Sequence, residues 1–398
     1  MPLIALWKSD PKTVAEFTIQ QIVAFAGNGK LTDGSTCSEE LRTYISEVSS
    51  SKLGEYVKFC LDNSFDKSGL VLQDLINELG RRLEFNVEFG LYSGRRNQIG
   101  NDGLWQAPEG SHVVLEVKTT DAYRMSMDTL AGYRSKLITE GQITENSSIL
   151  IVVGRDDTGE LEAQVRGSRH AWDIRLVSAE SLVKMVILKE EADEPETGRK
   201  IRQILVPVEY TRVDQLVDVV FSTAADLKDD EEDRLNVVDT DENSGETTVS
   251  ARDDVMRRVD LERQAVLMAI SKAHKVNLIK RSRAMYWTSD KSFRLACTVS
   301  KRYEDGPGYW YAFHPRWKEF LTDCDTGYLV LGVMGRDDLV VLPISFFLQF
   351  IDKLNTTGKG EKMYWHIHLN EMPNRELFLV VPKETNVSVD RFLLPKTE

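Results

Sequence analysis

The chain has 398 residues, of which 28% are charged and 41% hydrophobic, and a formal net charge of −13. That length suits two or three domains with real cores, and no apolar run approaches the roughly 20 residues of a membrane span. Four scattered cysteines (Cys37, Cys60, Cys297, Cys324) with no Cys-x-x-Cys pair exclude a zinc ribbon, and with a start, MPLIALWKSDPK, that lacks a secretion signal they make a reduced, cytoplasmic protein the expectation.

In chain order, residues 1–64 read as a helical extension. PKTVAEFTIQQIVAFAG places a proline near a helix start, and STCSEELRTYISEV offers Ser or Thr caps with Glu following. In residues 68–83, Leu72, Leu75, Ile76, Leu79 and Leu83 recur at helical spacing, with Asp74 and Glu78 on a more polar flank. Residues 83–94 alternate as a half-buried strand, Leu83, Phe85, Val87, Phe89 and Leu91 against Glu84, Asn86, Glu88 and Gly90. QIGNDGLW (98–105) is a turn entering a short strand, and HVVLEVKTT (112–120) is an apolar strand. A helix over 121–141 follows. SSILIVVGRDD (147–157) has the all-apolar run of a strand buried on both faces. A helix (159–170), a strand (173–178), a helix (179–191), and a strand and helix within 199–225 complete this region.

The chemistry lies in Asp102 and Glu116-Val117-Lys118, separated by the thirteen residues 103–115. Side chains alternate across a strand, so Val113, Leu115 and Val117 take one face and His112, Val114, Glu116 and Lys118 the other. One carboxylate and one ammonium project together, roughly 6–7 Å apart along the strand. If the two strands form a hairpin, Asp102 and Glu116 can share a hard divalent cation such as Mg²⁺, with Mn²⁺ as a substitute. Lys118 then offers positive charge beside an attacking water and the phosphate oxygens. Against this stands the plain alternative that Glu-x-Lys is a solvated strand face.

The order helix, three strands, helix, strand, with an acid and Glu-x-Lys on the second and third strands, resembles the PD-(D/E)XK superfamily of restriction-endonuclease-like nucleases. The resemblance covers roughly residues 65–190. It implies an α/β fold with a mixed-sheet αβββαβ core, Asp102 and Glu116 as metal-binding acids, and Lys118 as the catalytic lysine. It also implies an acid from the first helix (Glu78, with Asp74 as second choice) and products with 5′-phosphate ends. Asn101 stands where the family motif has proline, and no clear Gln follows the Glu-x-Lys strand.

Residues 226–246 carry ten acids against Lys228 and Arg234, so 226–249 reads as an acidic flexible linker. Residues 257–302 hold twelve bases against Asp260, Glu262 and Asp290, a footprint for nucleic acid or else a compensated helix face. Lys280, Arg281, Arg283 and Arg294 are the DNA-binding candidates within it. A long helix (251–273) opens a separate β-rich domain over 250–398. Its expected strands are 292–303, 308–315, 326–334, 338–344, 363–370 and 376–382, with a helix at 345–355, as a small open barrel or a twisted sheet. Tyr303, Tyr309, Trp310, Tyr311, Phe313 and Trp317 form its densest aromatic group, either a base- or ligand-stacking site (Tyr309, Trp310, Tyr311, Trp317) or a packed core. His366 and His368 share a strand face, and His314 is a third candidate ligand for a metal there.

The domains expected are therefore a helical extension (1–64), a nuclease domain (65–225), a linker (226–249) and a recognition or sensor domain (250–398). The expected function is a Mg²⁺-dependent DNA endonuclease of the restriction or phage-defence kind, working as a homodimer away from membranes. The alternatives are an effector nuclease gated by a nucleotide or modified base, and an inactive DNA-binding module.

Overall fold

The computed structural model describes residues 3–93, 99–119, 126–154, 159–192, 195–206, 249–303, 308–358 and 363–396. The chain divides into two units, residues 1–225 and 226–398.

The first unit opens with α1 (Leu3–Ser9), α2 (Pro11–Ala15), α3 (Ile19–Phe25), α4 (Thr36–Glu47), α5 (Ser50–Asp62) and α6 (Ser68–Arg82). The stretch that reads as one helix from Pro11 breaks in two, because Thr18 and Gln21 close a capping box that starts α3 afresh. Next come β1 (Asn86–Phe89), β2 (Gly103–Gln106), β3 (His112–Lys118), α7 (Met127–Thr139), β4 (Ser147–Val153), α8 (Gly159–Gly167), β5 (Ile174–Ser178), α9 (Ala179–Glu191) and α10 (Pro195–Leu205). The five strands form one mixed sheet in sequential order, antiparallel from β1 to β3 and parallel from β3 to β5. Every residue of β4 is buried, as its unbroken apolar run requires of a strand covered on both faces.

The alternation inferred for β3 holds. Val113, Leu115 and Val117 enter a core shared with Trp105, α6 and α9, while Val114 joins Leu104, Ile149 and Ile151 against α7 and α8. The strand expected over 83–94 is shorter, since Glu84 adopts a left-handed backbone (φ 69°) where α6 turns into β1. A glycine commonly fills that position. Here the Glu84 side chain is held by Lys189 (3.0 Å) and Arg202 (3.6 Å).

Two expectations are corrected. Residues 1–64 are not an appendage: Leu3, Val14, Ile22, Leu41, Tyr44, Leu53 and Tyr56 lie in the same hydrophobic core as α6 and the sheet. The segment from 199 begins as the end of α10 rather than as a strand, and residues 207–225 and the acidic stretch 226–246 lie outside the described residues.

The second unit runs α11 (Val249–His274), β6 (Ile279–Lys280), β7 (Met285–Trp287), β8 (Phe293–Ser300), β9 (Tyr309–Phe313), α12 (Pro315–Thr322), β10 (Thr326–Val333), β11 (Asp338–Pro343), α13 (Ile344–Phe347), β12 (Thr356–Thr357), β13 (Tyr364–Glu371), β14 (Leu377–Leu379), β15 (Val387–Ser388) and β16 (Leu393–Pro395). Neither a barrel nor a single sheet results. One sheet has the order β16-β11-β10-β8-β7-β6, and the other joins β12, β13, β14 and β15 with β9 on β13. Both contribute to one core, Leu329, Leu331 and Leu342 from the first and Tyr311, Phe313, Ile367 and Leu369 from the second. The other face of the six-stranded sheet packs Leu295, Cys297 and Val330 against Val266 and Ile270 of α11. The helix expected at 345–355 shrinks to α13 and a 3-10 turn at Ile351–Lys353.

Candidate active site

Asp102 immediately precedes β2, and the register Gly103↔Leu115 sets it beside Glu116 on β3. Its backbone N–H donates to the Leu115 carbonyl (2.9 Å), and its carboxylate Oδ2 accepts from the Val117 N–H (2.7 Å). Its own carbonyl accepts from Gln73 Nε2 (3.0 Å), Asn77 Nδ2 (2.9 Å) and the Gly90 N–H (3.1 Å). Gln73 and Asn77 lie four apart on α6, which aligns both amides on one face of the helix. Asn77 also donates to the Gln73 carbonyl (2.9 Å) and accepts from Trp105 Nε1 (2.9 Å). The approach is too close for side chains at two glycines. A Cβ on Gly103 would lie 2.1 Å from Asn77 Oδ1, and one on Gly90 would lie 2.3 Å from the Asn101 carbonyl oxygen.

Burial raises the Asp102 carboxyl to about 7, and the nearby Glu116 charge adds to the rise. The Val117 N–H and Lys118 oppose it. Glu116, itself buried, is ion-paired through Oε1 to Lys118 Nζ at 2.5 Å. The ammonium and carboxylate that leave the strand two residues apart thus converge at their tips. With Oδ2 of Asp102 bonded to backbone and Oε1 of Glu116 bonded to lysine, each carboxylate has its second oxygen to offer. Two hard oxygen donors fit Mg²⁺ or Mn²⁺, which retain several waters, and suit a soft metal poorly.

Glu78 does not join this pair. Its carboxylate accepts from Arg82 Nε (3.0 Å) and Arg81 (3.4 Å), with burial raising its pKa against the pull of both arginines. Arg82 in turn reaches Ser50 (3.1 Å) and the carbonyls of Ile45, Ser46 and Val48 at the end of α4. Asp74, the second choice, accepts from Arg42 Nε and Nη2 (both 3.1 Å) and from the Tyr92 hydroxyl. The flank that reads as more polar is therefore buried: Asp74 ties α6 to Arg42 of α4, and Glu78 pairs within α6 with Arg82, which itself reaches the end of α4. Among the described residues no group of three His, Cys, Asp or Glu is placed to hold a metal.

In the second unit, Tyr309, Tyr311, Phe313 and Trp317 are buried in the core, which overturns the ligand-stacking reading for those rings. Of the rings on that strand, Trp310 turns to the other face, which it shares with Ala312. Its Nε1 donates to His366 Nδ1 (2.9 Å), and His366 Nε2 bonds the Thr357 hydroxyl (2.7 Å). Both imidazole nitrogens of His366 are thereby engaged, and a metal on the His366–His368 face is not supported. Of the four basic candidates, Arg281 and Arg294 come together on the β6–β8 meander, flanking Trp287, while Lys280 pairs with Tyr286 in the β6–β7 ladder and Arg283 lies in the turn between those strands.

No protein-family model matches the chain, and no curated protein matches it. No helix among the described residues is long and apolar enough to cross a membrane.

Proposed function

We propose that the first unit is a divalent-metal-dependent DNA endonuclease of restriction-endonuclease-like topology, serving restriction or phage defence. The single observation that carries this reading is the juxtaposition of Asp102, at the entry to β2, with Glu116 on β3 and Lys118 at the tip of Glu116. The order of α6, β1–β3, α7 and β4 adds support, because it is the order the resemblance calls for. In this reading Asp102 and Glu116 hold the cation through their second oxygens. A bound Mg²⁺ supplies charge to the phosphoryl oxygens and lowers the pKa of a coordinated water. Lys118 offsets the charge that develops at phosphorus, and exchanges its partner Glu116 for a phosphate oxygen as substrate enters. Gln73, Asn77 and the Gly90 N–H keep the Asp102 backbone from shifting, which matters because a misplaced ligand lowers the rate steeply.

Plasmid cleavage with Mg²⁺ or Mn²⁺ tests the reading. Glu116→Gln and Asp102→Asn are each expected to fold with unchanged melting behaviour and to lose cleavage. Near wild-type cleavage by either variant removes the assignment.

A further inference from the structure

We infer that Asp33, Arg42 and Tyr92 are positioning residues for the Asp102 carboxylate: they fasten the segment that leaves β1, and that segment holds the peptide on which Asp102 is carried. The inference rests on the reaction proposed above and deepens it, by naming residues outside the αβββαβ core that the reaction needs beyond the carboxylate pair.

The chain leaves β1 at Phe89 and enters β2 through Asp102, and α6 holds both limbs. On the returning limb, Gln73 and Asn77 donate to the Asp102 carbonyl (3.0 Å and 2.9 Å). On the outgoing limb, Asp74, next to Gln73 on the same helix, accepts from the Tyr92 hydroxyl. Arg42 of α4 closes the arrangement. Its guanidinium makes a two-point pair with Asp74 (3.1 Å from each nitrogen) and lies over the rings of Phe89 (4.4 Å) and Tyr92 (5.0 Å). One cation is thus gripped by the two rings that bracket Gly90, where its attraction to the carboxylate and to the ring faces act together. Asp33, in the turn before α4, takes hold further along the limb. Its Oδ1 accepts from the Tyr92 N–H (2.7 Å) and its Oδ2 from the Ser93 hydroxyl (3.2 Å).

Gly90 transmits this hold to Asp102. Its N–H donates to the Asp102 carbonyl (3.1 Å), and a Cβ there would collide with the Asn101 and Asp102 carbonyls, so the two limbs touch backbone to backbone. A displacement of 91–93 therefore moves the Asp102 peptide, and with it the carboxylate whose Oδ2 accepts from the Val117 N–H (2.7 Å). Asp33 is not placed for charge balance. Burial raises the Asp74 carboxyl, Arg42 and Tyr92 oppose the rise, and the Asp33 charge adds to it, so a second acid there works against the buried ion pair. Its contribution is geometric, the fixing of two consecutive residues of the limb. Outer partners of this kind, when removed from a metal-binding carboxylate, typically cost about 10–100-fold in metal affinity or rate.

The test uses the full chain without DNA, and reads the position of Asp102 by amide hydrogen exchange and by Mn²⁺ calorimetry. Asp33→Ala removes the acceptor of the Tyr92 N–H, and Asp33→Asn restores one. Tyr92→Phe removes the hydroxyl and leaves its ring to Arg42. Asp33→Ala and Tyr92→Phe are expected to fold cooperatively, with faster exchange at 99–106 and at Val117 and unchanged exchange in α6. Both should bind Mn²⁺ about tenfold more weakly than the wild type. Asp33→Asn should return most of the protection and most of the affinity. Where Asp33→Ala fails to fold, Tyr92→Phe decides. The inference is overturned if the folded variants exchange at 99–106 and Val117 as the wild type does, or if they bind Mn²⁺ as tightly as a wild type that binds it. It is overturned as well if protection is lost equally through α4 and α6, which marks a general prop of the fold. A wild-type chain that binds no Mn²⁺, while its variants show the expected exchange pattern, keeps these positioning residues and loses the metal-dependent endonuclease.

Discussion

At the scale of single residues, Asn77 is the tightest joint of the candidate site, because its one amide touches Gln73, Asp102 and Trp105. Asn77→Ala removes the acceptor of a buried indole N–H and one support of the Asp102 carbonyl. A loss of about 2 kcal/mol in unfolding free energy is expected from the orphaned donor, measured by chemical denaturation. Gly103→Ala acts on the same joint by collision with Asn77 Oδ1, and should cost about 1–3 kcal/mol as an overpacked core substitution does. A thermal and chemical melt indistinguishable from wild type in both variants would show that the joint is dispensable. Lys118→Ala is expected to lower the cleavage rate by on the order of a hundredfold or more while metal binding survives, and calorimetric loss of Mg²⁺ binding would make the lysine a prop for Glu116 instead. Asp102, Glu116 and Lys118 were legible because their spacing is carried by one hairpin. Gln73 and Asn77 were not: on a helix with a leucine stripe, an amide reads as solvent-facing. Only the depth of α6 in the fold makes these two amides the natural partners of a carbonyl that has left its ladder.

At the scale of elements, α6 decides the architecture of the first unit. Its residues from Val71 to Gly80 are all buried, so the polar ones need partners other than water. Arg42 and Arg82 provide them from α4 and from α6 itself. Arg82→Ala leaves Glu78 buried without its nearest counter-charge, and a loss of about 3–5 kcal/mol is expected. Replacing both Glu78 and Arg82 by leucine should recover part of that loss, because no unpaired charge is then buried, while the Val48, Ile45 and Ser46 carbonyls still lose their donor. If the paired replacement is as damaging as the single one, the charge pair is needed for something other than mutual neutralisation. Most elements around α6 were readable from periodicity, since β3, β4 and α9 have strong apolar patterns of the right period. The elements that were missed are short or start from weak signals. β6 and β7 span two and three residues, too few for alternation to register. α12 was hidden inside an aromatic run, although Trp317, Phe320 and Leu321 do fall at helical spacing after Pro315.

At the scale of the whole molecule, the two units carry different loads of buried or partly buried imidazole. His112 in the first and His274, His366 and His368 in the second are held below the usual histidine pKa by burial, with His366 adding to the effect on His368. A folded-state pKa below the unfolded value of 6.5 gives stability that is fully present above that pH and is lost as pH falls through the lowered folded values. Scanning calorimetry at about pH 7.5 and about pH 5.5 should therefore show the second unit's transition dropping further than the first's. Equal drops would place the buried-histidine penalty elsewhere. The shared core of the first unit also bears on its synthesis. Every residue of the candidate site has been joined to the chain once Lys118 is made, yet the sheet still lacks β4 and β5, and α6 lacks the cover of α9 that completes its burial. At about 5–20 residues per second the interval from Lys118 to Leu205 lasts on the order of ten seconds. During that interval the emerging chain holds its carboxylates in an unfinished sheet, so a polypeptide cut short before β4 presents Asp102 and Glu116 without the strand that flanks β3.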